Sequence, residues 1–196
     1  MIDPVLVVFF LLMALIVGGG GYLAWRAHAA RVAAWAQFAQ RHGMSAHGLH
    51  FEGTYEGFPV TVETRTRGSG RSRYTVAVLR LSVGGALPPE FSLEREGLGD
   101  KVLHLFGKHD PEIGDTRFDE LFDLKNLSPE TASVLRDEGV QRQLYSMVRA
   151  YTYFHVRHGW IEAERLRIPA KGEELEEFLG QALLLAHALG QATQRA

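Results

Sequence analysis

Residues 53–83 read GTYEGFPVTVETRTRGSGRSRYTVAVLRLSV, and the period of their side chains decides the fold class. Apolar and polar residues alternate across Val60 and Val62, and the alternation starts again at Tyr74. A period of two is typical of β-strands with one buried face. The RGSGRSR between the two runs is the polar, glycine-containing connection of a β-hairpin. This stretch therefore predicts two antiparallel strands.

The segments around this hairpin predict further strands and three helices. FSLERE (91–96) is typical of a short strand, and residues 151–169 predict a second hairpin with a His-Gly turn. Residues 24–42 are alanine-rich and contain no proline, Ser128 has the position of a helix N-cap, and residues 172–192 carry acids in their first turns. We predict an α+β fold, with one mainly antiparallel sheet packed with helices behind an N-terminal transmembrane helix.

The N-terminal segment is typical of a membrane anchor. Pro4 to Trp25 are 22 residues without a charge, and a helix of that length is about 33 Å long, enough to cross a hydrocarbon core of about 30 Å. The alternative is a cleaved signal peptide, but only Asp3 precedes the apolar run, where a signal peptide carries positive charge. We therefore predict a retained single-pass anchor in contact with the bilayer through residues 4–25.

The charges flanking the anchor predict its orientation. Arg26 and Arg31 follow the span and no basic residue precedes it, so the positive-inside rule places the following domain on the cytoplasmic side of the inner membrane. Gly18 to Gly21 could permit close approach of two helices in a homodimer, or could bend the helix. The predicted division is a transmembrane anchor at 1–25, a juxtamembrane helix at 26–43, an α+β domain at 44–192 and a tail at 193–196.

Composition excludes several functions. The chain has no cysteine, which excludes thiol catalysis and thiolate metal sites. Its net charge of −2 provides no basic field for nucleic acid. Neither a phosphate-binding GxxxxGK[ST] loop nor a GxSxG nucleophile motif is present. We predict no cofactor.

The acidic stretch GDTRFDELFDL (114–124) has two interpretations. As a functional site, it would combine with the preceding histidines to hold a divalent ion or perform acid–base chemistry, although the spacing matches no known metal motif. The candidate ligands are His109, Asp115 and Asp119. As architecture, a glycine turn precedes an aspartate-capped short helix that turns its phenylalanines inward. The residues of this structural motif are Gly114, Asp115, Phe118, Asp119 and Phe122. We favour architecture.

The first hairpin connection also carries a cluster of arginines. Guanidinium groups and backbone amides together can hold phosphate, and beside a bilayer the natural phosphates are anionic lipid headgroups. The candidate phosphate or lipid residues are Arg65, Arg67, Arg71 and Arg73. The alternative is a soluble polar loop that has no ligand.

Several short motifs together resemble a loose group of uncharacterised bacterial proteins with a single-pass membrane anchor and a Gly-Asp-x-x-Phe-Asp turn. They are RHG (41–43), GTYEGFPVTV (53–62), GDTRFDELF (114–122), YFHVRHGWIEAE (153–164) and the helix at 172–192. The resemblance implies a shared fold and association with the cell envelope, and it carries no catalytic residues.

These observations lead to three functional hypotheses. We expect a membrane-anchored, non-catalytic binding or scaffolding protein with a protein partner in or at the membrane. One alternative is a metal-dependent or acid–base enzyme that uses the His/Asp segment at 104–123. The other is binding of anionic lipid headgroups through the loop at 65–73.

Overall fold

The computed structural model describes residues 4–95 and 113–195, and of residues 4–12 and 14–18 it describes the backbone alone. A 3₁₀ turn, Gly70–Ser72, lies between the strands Phe58–Arg67 and Tyr74–Ser82. In chain order the elements are α1 (Pro4–Arg41), β1 (Ser45–Ala46), β2 (His50–Tyr55), β3 (Phe58–Arg67), β4 (Tyr74–Ser82), β5 (Ser92–Arg95), α2 (Thr116–Asp119), β6 (Phe122–Lys125), α3 (Pro129–Arg136), α4 (Glu138–Ala150), β7 (Tyr153–Arg157), β8 (Trp160–Arg165) and α5 (Gly172–Thr193).

The strands form one eight-stranded antiparallel sheet in the order β1-β2-β3-β4-β8-β7-β5-β6. Two-residue turns join β2 to β3 and β7 to β8, and longer connections join β1 to β2 and β3 to β4. Left-handed residues make two of the turns, Glu56-Gly57 and His158-Gly159, as type I′ hairpins require. The predicted α+β class with one antiparallel sheet is confirmed.

The hydrophobic core lies between one face of this sheet and the helices. Alternate residues such as Val62, Leu79 and Ala163 lie side by side in register and are fully buried. α1, α4 and α5 pack on this face, and α3 packs on α4 and α5. We call the opposite side of the sheet the outer face; its residues alternate with the core residues along each strand, as the pleat requires.

α1 continues from the N-terminal segment into the domain without a break, so Gly18 to Gly21 do not interrupt the helix. Its last turns are anchored to the domain by Trp35 and Phe38, both fully buried. Among the side chains that the structure describes, no helix offers a stretch long and apolar enough to cross a membrane. The span predicted at 4–25 rests mainly on residues 4–12 and 14–18, which lie outside that described set.

Two predicted elements differ from the observed ones. The short helix predicted to carry both Phe118 and Phe122 ends at Asp119, and Phe122 instead begins β6, where it pairs with Arg95 of β5. The helix that starts at Ser128 is broken at Asp137, whose carboxylate caps α4.

Candidate functional site

The acidic stretch that follows the 96–112 segment is held by its own carboxylates. The Asp115 Oδ1 accepts hydrogen bonds from the backbone N–H groups of Arg117 and Phe118 at 3.0 and 3.2 Å, as an N-cap does. The two carboxylate oxygens of Asp119 accept hydrogen bonds from the N–H groups of Ile113 and Gly114 at 3.0 and 3.1 Å. Two of the three candidate metal ligands, Asp115 and Asp119, therefore accept hydrogen bonds from the backbone of their own turn.

Aromatic side chains attach this turn to the core. Phe118 is fully buried, and its ring centroid lies 4.7 Å from that of Phe122. The Arg117 guanidinium lies 5.1 Å from the centroid of the Tyr145 ring on α4, and the Arg136 Nε donates to the carbonyl of Ile113 at 2.9 Å. These contacts support the architectural interpretation of the motif.

The metal interpretation of this stretch gains no support from the geometry. Residues 4–95 and 113–195 contain no group of three or more histidine or carboxylate side chains placed to hold a metal ion. His109 lies outside the described residues, so its part in such a site stays a prediction. Asp115 and Asp119 are occupied by the amides they cap, although neither is fully buried.

The four arginines proposed for phosphate binding do not form one loop. Arg65 and Arg67 lie in β3, not in the connection as predicted, because the backbone of β3 pairs with that of β4 as far as Arg67. On the outer face their side chains contact acids of β8. The Arg65 Nη1 contacts the Glu162 carboxylate at 3.1 Å, and Arg67 forms an ion pair with Glu164. A hydrogen bond from Arg67 to Glu164 raises the pKa of the Arg67 guanidinium.

Arg71 and Arg73, by contrast, lie at the exposed tip of the β3–β4 hairpin. Within the described residues neither one forms an ion pair with a carboxylate. Gly68 and Gly70 both adopt the left-handed conformation around this turn, which a residue with a side chain rarely adopts.

The outer face of the sheet carries several ion pairs that join different strands. Glu162 accepts from Arg65 and lies 3.4 Å from the Nε of Arg80; farther along, Arg157 of β7 pairs with Glu94 of β5. Arg65 reaches Glu162 across the intervening β4, whereas the other two contacts join neighbouring strands, an arrangement that stabilises cross-strand pairs. The partners of these residues could not be read from the sequence, because the pairs join distant segments.

His155 sits at the centre of this face. It is in register with Glu162 on β8 and with Glu94 on β5. Its Nδ1 is buried and has no hydrogen-bond partner among the described residues. Burial lowers the pKa of the imidazole against the opposing effect of Glu162 and Glu94, so the ring is neutral at pH 7. His158, three residues on, lies in the turn and does not join it.

A shallow groove of about 360 Å³ lies where β8 leaves the sheet. Arg165 and Arg167 line it, but each already contacts an acid of α5, Glu177 at 2.8 Å and Glu174 at 2.9 Å. The polar groups of this groove are therefore satisfied by one another, and they do not converge on a common point as the groups of a catalytic site do.

Comparison of the chain with models of protein families, with curated proteins and with solved structures finds no match. The resemblance to a group of membrane-anchored bacterial proteins therefore stays a prediction.

Proposed function

We propose that this protein is a membrane-anchored, non-catalytic binding or scaffolding protein. Residues 4–25 span the inner membrane once, and the sheet domain lies on the cytoplasmic side, as Arg26 and Arg31 favour. The burial of Trp35, whose Nε1 donates to the Pro169 carbonyl at 2.8 Å, supports a direct mechanical connection between the anchor and the domain. A rigid connection of this kind suits a module that presents one surface at a fixed height above the bilayer.

The outer face of the sheet is the partner-binding surface in this proposal. One observation carries it: α1, α4 and α5 pack on one face of a broad sheet, and the other face presents an ordered array of paired charges. Charged arrays give specificity and rapid association more than raw affinity. The proposed partner is therefore a membrane or membrane-proximal protein that binds reversibly through complementary charges.

The enzyme hypothesis has less support. The carboxylates of Asp115 and Asp119 are committed to backbone amides, so recruiting them to a metal or to proton transfer would undo the turn they hold. Binding of lipid headgroups is supported by one specific observation, the exposed arginines at the hairpin tip.

In-cell photo-crosslinking tests the proposed surface. A photoreactive residue is placed at Arg80 or Tyr153, both partly exposed on the outer face, and a matched control is placed at Leu184, exposed on α5. The proposal predicts one discrete adduct from both outer-face positions and none from the control. Adducts from Leu184 alone, or no discrete adduct at either outer-face position, would exclude the outer face as the binding surface.

A further inference from the structure

The direction of α1 relative to the sheet follows from four aromatic contacts. Phe51 lies 5.6 Å from Trp35 and 5.5 Å from Phe38, while Tyr55 lies 5.8 Å from Phe38 and 4.8 Å from His42, measured between ring centroids. Residue numbers therefore increase together along α1 and β2. β3 is antiparallel to β2, so β3 runs back toward the N-terminal end of α1.

The hairpin that β3 forms with β4 is long enough to reach the level of the membrane surface. Trp25 and Trp35 are separated by about 15 Å along the helix, at about 1.5 Å per residue. Val62 is in register with Phe51 beside Trp35, and β3 continues from there to Arg67, about 16 Å farther at about 3.3 Å per residue. The tip at 68–73 thus lies near the level where α1 leaves the bilayer.

Other segments of the sheet end on the same side. β8 is antiparallel to β4, so its last residue, Arg165, and the following Leu166 and Arg167 lie at the end where β4 begins. The hydrogen bond between Trp35 and Pro169 places this segment beside α1 independently. Leu166 is 56% exposed and adds an apolar side chain to this end of the domain.

We propose that this end of the domain rests on the anionic headgroups of the bilayer that holds α1. We call it the membrane-facing end and define it by Arg71, Arg73, Tyr74, Leu166 and Arg167. The inference rests on the proposed anchoring of α1 and deepens it by naming the lipid that the domain contacts. Each of the five side chains has a chemical role in that contact.

Arg71 and Arg73 supply the electrostatic attraction, because within the described residues they form no ion pair with an acid. One basic residue near an anionic leaflet favours the contact about fivefold. Tyr74, 49% exposed beside them, is the aromatic type that concentrates at the lipid–water interface. Leu166 supplies apolar area. Arg167 shares its charge with Glu174 and contributes less.

The absence of cysteine from the chain makes the test direct, because a single introduced cysteine can be labelled. Ser69→Cys, at the exposed tip, and Glu90→Cys, exposed at the opposite end of the sheet, each receive a fluorophore in the full chain. The labelled chains are reconstituted in lipid nanodiscs that contain headgroup-nitroxide lipid, either zwitterionic or mixed with anionic lipid. Quenching reports contact with headgroups, and Arg71→Glu/Arg73→Glu is combined with the Ser69 label.

In anionic discs we expect the label at residue 69 to be quenched at least about twofold more than the label at residue 90. Zwitterionic discs, high salt or the double arginine variant should each remove this difference. Equal quenching at the two positions, in a chain that co-elutes with the discs, overturns the inference and leaves the anchor in place. If quenching at residue 69 is the same in zwitterionic and anionic discs and is unchanged in the double variant, the domain does not recognise anionic headgroups. A folded chain that fails to enter discs overturns the anchor itself.

Discussion

Asp119→Ala should destabilise the domain, because the Asp119 side chain closes the turn before β6. Its carboxylate accepts two backbone hydrogen bonds, from Ile113, which is buried, and from Gly114, which is exposed. A net hydrogen bond contributes about 1 kcal/mol and a charge-assisted one somewhat more; with the exposed bond at the low end, we expect a loss of about 2 kcal/mol. In a domain of this size that lowers Tm by about 4–8 °C.

The assay is a thermal melt of the full chain in mild detergent, followed by near-ultraviolet circular dichroism, with chelator and then with divalent metals. Glu120→Ala is the matched control, because it removes an exposed carboxylate from the same turn and should change the free energy of unfolding by less than about 0.5 kcal/mol. If Asp119→Ala melts with the control, or if a metal raises Tm of the wild type and not of this variant, the architectural assignment is wrong.

Two further predictions concern the anchor contact and the buried histidine. Trp35→Phe removes the buried hydrogen bond to the Pro169 carbonyl and should cost about 1–3 kcal/mol in chemical denaturation, whereas Trp25→Phe, at a site 65% exposed, should leave the midpoint unchanged; equal effects would contradict the proposed coupling. Because burial lowers the pKa of His155 below its ordinary 6.5, the unfolded chain binds a proton at a higher pH than the folded chain does. The free energy of unfolding should therefore fall as the pH falls through 6.5 and toward the lowered pKa. Unfolding titrations at about pH 7.5 and about pH 5.5 should show a larger loss for the wild type than for His155→Gln, and parallel losses would show that His155 does not carry the effect.

Local signals in the sequence predicted the elements that local interactions make. Ser128 and Pro129 begin α3 as predicted, and the turn at His158-Gly159 joins β7 to β8. Capping and tight turns depend on neighbours within four residues, so composition and spacing are sufficient to find them.

Strand pairing accounts for the predictions that are wrong. Glycine and serine follow Arg65 and favour a loop, but Arg65 pairs with Val76 of β4 and β3 extends to Arg67. Phe122 fits a helical spacing with Phe118, yet pairing with β5 draws it into β6. No pattern within either segment contains the partner that decides its state.

For the same reason, the sequence predicted some of the strands of the outer face but not their assembly into one surface. The hairpin predicted at 151–169 contains His155 and Glu162, but nothing in the sequence places them beside Glu94 and Arg80. The strand order β4-β8-β7-β5 is what assembles them into one surface. Long connections separate β4 from β8 and β5 from β7 in the chain, and sequence periodicity does not describe pairings of that kind.

Membrane insertion with the domain on the cytoplasmic side stays a prediction, and carbonate extraction with protease protection tests it. The full chain is expressed in bacteria, membranes are washed with alkaline carbonate, and protease is added separately to spheroplasts and to inverted vesicles. We expect the chain to stay in the washed membranes and the sheet domain to be digested only in inverted vesicles. Leu12→Arg, but not Ala29→Arg, should release the chain from the membranes. Extraction of the wild-type chain by carbonate, or digestion of the domain in spheroplasts, would contradict the prediction.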